Sequence, residues 1–149
     1  MIIGHSKILE ILERLFQKKS VPHAFFFWGP EQLGKKSVAK LFAQTLLCDN
    51  KKFLGCGECK MCNPHNPFLS ELITIIREET TEEMSATIGI EEIRKIQTLL
   101  DQTNFLNKPR IIICENVALL SDEAAHAFLK TLEEPPKNAY IILLGNTKD

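Results

Sequence analysis

The stretch of this chain best suited to chemistry is Gly29-Pro30-Glu31-Gln32-Leu33-Gly34-Lys35-Lys36-Ser37. Gly29 to Lys35 satisfies G-x-x-x-x-G-K, in which glycines let successive backbone N–H groups turn inward around phosphate oxygens beside a helix N-terminus. Lys35 would then offer its ammonium to the outer phosphates, with Gln32 and Leu33 in the wrapping loop. The competing reading is a plain strand–turn–helix corner with a surface lysine. What favours the phosphate loop is its place between an apolar run and an amphipathic stretch. The residue after the lysine is ordinarily Ser or Thr, a Mg2+ ligand. Here it is Lys36, whose ammonium repels a cation. Ser37 comes one position late, about 100° further around a 3.6-residue helix, and cannot simply substitute.

A second constellation is Ile111-Ile112-Ile113-Cys114-Glu115-Asn116, an apolar run ending in an acid. P-loop ATPases hold Mg2+ and polarise water at such a strand end. Glu115 can fill the metal-ligand position, but Asn116 stands in place of a catalytic Glu and cannot accept a proton. No residue is therefore assigned as catalytic. Taken alone, Glu115 reads equally well as a solvated strand-end acid.

Cys48, Cys56, Cys59 and Cys62 gather four thiols within fifteen residues, with Gly55 and Gly57 able to turn the chain tightly between them. Four thiolates match a closed, tetrahedral and hence structural Zn2+ site. The alternatives are a redox pair, since Cys59 and Cys62 are formally C-x-x-C, and an iron–sulfur site. His65 could replace one ligand but reads better as a loop histidine. Cys114 reads as a small core residue.

These groups need elements to position them. Helical spacing runs from Glu10 to Phe16, with Ile8, Leu12, Leu15 and Phe16 on one face, and again from Lys36 to Leu47. Ala24–Trp28, Leu72–Ile76, Arg110–Cys114 and Tyr140–Leu144 are apolar runs of strand length, the first read as a buried strand. Arg77–Ala86 is polar and reads as a surface loop. Gly89-Ile90 opens a further helix with Ile90, Ile93, Ile96 or Gln97, and Leu100 inward. Ser121 supplies N-capping chemistry for a last helix to about Leu132. Alternating strands and helices imply a parallel sheet covered on both faces.

The totals set bounds. A length of 149 residues fits one domain with a real core. A net charge of −1 gives no electrostatic case for autonomous nucleic-acid binding. The apolar runs are too short to span a bilayer and no secretory pattern opens the chain, so the expectation is a cytoplasmic protein with reduced thiols. The sequence stops directly after a strand, as an incomplete domain would.

Together these pieces resemble the bacterial DNA polymerase III clamp-loader AAA+ family, whose members include gamma/tau and delta-prime subunits. The resemblance rests on Ile3-Gly4-His5, His23-Ala24-Phe25, the phosphate loop, the four-cysteine insertion and Leu129-Lys130-Thr131-Leu132-Glu133-Glu134-Pro135-Pro136, and it covers essentially the whole chain. It implies an AAA+ P-loop core over 1–149, cut short at its C-terminal end, with a five-stranded parallel sheet, helices on both faces and a zinc-module insertion at 48–66. Lid and collar domains would be absent. It also implies that Gly29 to Ser37 cradle ATP or ADP, that Ile2, Ile3 and Gly4 pack near the adenine, and that Asn146, just past the last strand, senses the gamma-phosphate.

Gamma/tau members keep G-K-[ST] and an Asp-Glu pair; Lys36 and Glu115-Asn116 look instead like delta-prime. The expected role is a stator that does not hydrolyse ATP alone and binds little Mg2+. It would work with gamma/tau and delta subunits, and through them with primed DNA and the sliding clamp. By itself the chain would be monomeric. Two other functions compete: an ATP-hydrolysing gamma/tau motor, and a zinc-dependent nucleic-acid-binding module with a vestigial P-loop.

Overall fold

In the computed structural model, residues 4–77, 87–102 and 104–147 are described. Four strands alternate with five helices: α1 Ser6–Gln17, β1 Ala24–Gly29, α2 Lys35–Leu47, the single-turn α3 Leu69–Leu72, β2 Ile73–Ile76, α4 Ile90–Asp101, β3 Arg110–Cys114, α5 Asp122–Glu133 and β4 Ala139–Asn146. The sheet is wholly parallel in the order β1-β4-β3-β2.

Because strand side chains alternate between faces, the isoleucine runs feed two cores at once. Ile111, Ile113, Ile142 and Leu144 pack under α2, against Val38, Phe42, Leu46 and Leu47. Ile112, Cys114 and Ile141 point the other way, against Ile93 and Ile96 of α4 and Ala124 and Phe128 of α5. Every residue of β3 is buried, as a central strand between two helical layers requires. Gln97 Nε2 ties the outer layer together, donating to Ala127 O at 3.1 Å and to Thr131 Oγ1 at 3.0 Å. Ser121 caps α5, its side chain accepting from the Ala124 N–H at 3.1 Å.

The sheet has four strands among the described residues, where the family resemblance implies five. The chain has four apolar runs of strand length, and each one forms a strand. A second correction concerns β1. Its run of aromatic residues reads as a buried strand, yet it lies at a sheet edge with Phe26 54% and Trp28 59% exposed. α4 and α5 cover the β2–β3–β4 part of that face and stop short of β1. Ile8 is likewise exposed, so the inward face of α1 rests on Leu12 with half-buried Leu9 and Phe16. β4 runs two residues beyond Tyr140–Leu144 to include Gly145 and Asn146, since their partners Trp28 and Gly29 keep the ladder going. Of the polar loop at Arg77–Ala86, only Arg77 falls within the described residues. No helix there is long and apolar enough to cross a membrane.

Candidate functional site: a phosphate loop and a thiol cluster joined by one helix

β1 ends at Gly29 and the chain turns through Pro30–Gly34 into α2. Gln32 (φ 60°) and Gly34 (φ 77°) both adopt left-handed backbone, the conformation that curls a loop into an anion nest. Gly34 is the N-cap of α2. It accepts this geometry without the steric cost a Cβ would impose, while Gln32 bears a strain of the kind found at ligand clamps. The result is a cleft of about 430 Å3 between the loop residues Glu31–Lys36 on one side and Glu115, Leu144 and Asn146 on the other. The free N–H groups of the first turn of α2 lie at this end, where a helix favours negative charge.

Lys35 folds over the mouth of the loop. Its Nζ donates to Gly29 O at 2.8 Å and to Pro30 O at 2.5 Å. Asn146, expected just past the last strand, is instead the last residue of β4 because the strand is longer. It pairs in register with Gly29, and its Nδ2 donates to Glu31 Oε1 at 3.3 Å. Gly4 is exposed beside this region, and the next residue, His5, donates from Nε2 to Leu33 O. Ile2 and Ile3 lie outside the described residues. Ser37 is exposed and does not line the cleft, as its angular displacement on α2 requires.

The metal side of the cleft is filled by charge from the protein itself. Lys36 Nζ lies 2.5 Å from Glu115 Oε1, and Arg77 Nε lies 3.2 Å from the same oxygen. That oxygen makes no aligned hydrogen bond, so the attraction is ionic. A divalent ion at Glu115 would sit against two cations. Because these side chains are partly exposed and screened, the repulsion is on the order of a few kcal/mol, enough to make Mg2+ a poor fit. Asn116 is occupied too: its Oδ1 accepts from Ala118 N at 3.1 Å and caps the 3-10 turn Val117–Leu119. It neither carries nor receives a proton for water chemistry. The cleft is shaped to hold phosphate, and among the described residues the strand-end pair is already engaged, Glu115 by two cations and Asn116 by a backbone cap.

Sequence reasoning missed Arg77. The signal was there once the strands were aligned: Ile76 pairs with Cys114 in β2–β3, which puts the next residues, Arg77 and Glu115, side by side at the strand ends. His5 was missed as a site residue for a similar reason, and so was the contact of Glu31 with Asn146, since only the tertiary fold brings these residues together.

At the other end of α2 the four predicted thiols converge. The sulfurs of Cys48, Cys56, Cys59 and Cys62 all lie within 4.8 Å of one another, and all four are free thiols. Four sulfurs placed tetrahedrally at about 2.3 Å from one metal ion are about 3.8 Å apart; Cys56 and Cys62 are at 3.9 Å. Gly55 (φ 85°) makes the enclosing turn, and a Cβ there would come within 3.0 Å of the Cys62 sulfur. α2 holds the module from beneath: Gln44 Nε2 donates to Cys62 O at 3.2 Å, and Thr45 Oγ1 accepts from Leu54 N at 2.9 Å. Backbone N–H groups of Glu58 and Cys59 hold the Cys56 thiol down at about 6, while burial pushes Cys62 up to about 11. Burial raises Cys48 as well, but hydrogen bonding led by the Lys52 backbone carries it below its ordinary value. The cluster can hold one metal ion. His65 is exposed and outside it, and Cys114 is fully buried in the sheet.

The parallel order of strands, with a phosphate nest at the carboxyl end of β1, makes this a P-loop α/β domain. The family described as "DNA polymerase III, delta subunit" matches residues 4–149. The chain is 32% identical over 144 residues to DNA polymerase III subunit tau of Bacillus subtilis, covering 95% of this chain and 24% of that protein. It is 29% identical over 125 residues to subunit delta' of Pseudomonas aeruginosa, covering 83% of this chain and 37% of that one. A solved gamma-subunit-related protein of Thermotoga maritima has the same fold, with a TM-score of 0.57 at 24% identity, over 93% of this chain and 39% of that one. The chain belongs to the bacterial DNA polymerase III clamp-loader AAA+ family. It spans well under half the length of these relatives.

Proposed function

We propose that this chain is the nucleotide-binding core of a clamp-loader subunit of the delta-prime kind, a stator that cradles a nucleotide without hydrolysing it. The observation that carries the reading is Lys36 lodged on Glu115, where a nucleotide-bound metal would sit. Asn116, spent on capping Ala118, adds a second and independent loss. Residues 1–149 are read as the AAA+ domain, with 48–66 a structural zinc module held by Cys48, Cys56, Cys59 and Cys62. Gly29, Gln32, Leu33, Gly34 and Lys35 would enfold the phosphates, with Asn146 facing the terminal one and Ile3 and Gly4 near the base. Its partners would be gamma/tau and delta subunits, and through that assembly it would help place the sliding clamp on primed DNA.

Phosphate release in the presence of ATP and Mg2+ tests this. The purified chain is expected to show none above background, and K36T/N116E is expected to gain Mg2+-dependent turnover. Turnover by the unsubstituted chain would overturn the stator reading. It would favour the second one, an ATP-hydrolysing gamma/tau subunit, which has in its favour the 32% identity to a tau subunit.

A further inference from the structure

In the cleft at the start of α2, one carboxylate is shared by two cations. Lys36 Nζ is 2.5 Å and Arg77 Nε 3.2 Å from Glu115 Oε1. We propose that the Lys36 ammonium takes over the charge-neutralising place of a divalent ion, so that the cleft binds the phosphates of a nucleoside diphosphate or triphosphate without metal. This inference rests on the nucleotide-cradle reading above.

The argument is one of charge and reach. The Lys36–Glu115–Arg77 group is already net positive by one, so an arriving polyphosphate meets a neutralising charge before any metal is added. Lys36 lies in the first turn of α2, beside Lys35 and the nest, and its side chain is 43% exposed. The Glu115 oxygen it touches makes no aligned hydrogen bond. An ammonium has three donors, so Lys36 can keep its carboxylate and still reach a phosphate oxygen. The remaining charged groups on the cleft are Lys35 and Glu31. Lys35 rests on two carbonyls, which phosphate oxygens would replace as acceptors, and Glu31 is engaged by Asn146. A divalent ion would have to displace two cations from Glu115, the only strand-end carboxylate lining the cleft among the described residues.

Calorimetric titration of the purified chain with ADP, in buffer with Mg2+ and in buffer from which divalent ions have been removed by resin, decides the matter. A resin spares the thiol module, which a chelator would strip. The two dissociation constants are expected to agree within about threefold. K36T is expected to weaken metal-free binding by about tenfold or more and to acquire a Mg2+ dependence of similar size, while K36R keeps metal independence. Tenfold or greater tightening by Mg2+ in the unsubstituted chain overturns the inference and leaves the cradle standing. So does K36T binding as tightly without metal as its parent. Absence of ADP binding in both buffers at millimolar concentration overturns the cradle reading itself. If K36T fails to fold, the parent and K36R titrations still decide.

Discussion

Substitutions at single positions tell most about this molecule's chemistry. Lys36 and Asn116 could be read from the sequence because each sits at a fixed offset within a motif, so a wrong residue type there speaks without a structure. The consequence of Lys36 could not be read. Its grip on Glu115, shared with Arg77, depends on two strand ends lying side by side. The thiols were legible as a group for the same reason of spacing, but not as individuals. Cys56 and Cys62 sit on opposite sides of the ordinary thiol value of 9.0 because one receives backbone N–H groups and the other is buried. The sign for Cys56 follows. Its folded value is depressed, so its contribution to stability is full above about 9 and is lost as pH falls through about 6. The gap in melting temperature between the metal-stripped chain and its Cys56→Ser variant should therefore narrow as pH drops through that window. Thermal melts across pH will check it.

Among the elements, β3 and the capped α5 follow the sequence closely, since an unbroken isoleucine run and a Ser-Asp-Glu start have few other uses. β1 does not. Ala24–Trp28 is as apolar as β3, yet it occupies an edge. Periodicity cannot tell a two-face-covered strand from one whose second face has no helix over it among the described residues. Two substitutions probe local design. Ser121→Ala removes the acceptor for Ala124 N and should cost about 1 kcal/mol, read as a fall in melting temperature of roughly 2–4 °C. Gly55→Ala places a Cβ in left-handed backbone and within 3.0 Å of the Cys62 sulfur. It should both lower the melting temperature and reduce bound metal, measured by elemental analysis on the purified variant.

For the molecule as a whole, the three-layer plan and its two cores could be inferred from alternating elements, whereas the strand count could not. Five strands came from resemblance, and four are what the described residues pair. The contribution a metal at the four thiols would make also belongs at this scale, because a module of irregular backbone has little core of its own. Chelation should lower the melting temperature and release about one metal ion per chain. No bound metal in protein purified under reducing conditions would refute the zinc assignment.

α2 begins on the phosphate nest at Gly34 and ends with Cys48 as its C-cap, so one thirteen-residue helix, about 20 Å of rod, bridges both centres. Whatever unravels its last turn shortens the same cooperative unit that aims its first. Amide hydrogen exchange along Lys35–Leu47 should then quicken from the thiol end when metal is withdrawn, and ligand at the opposite end should slow it again. Reciprocity of that kind would make the metal a tuning peg for a grip it never touches.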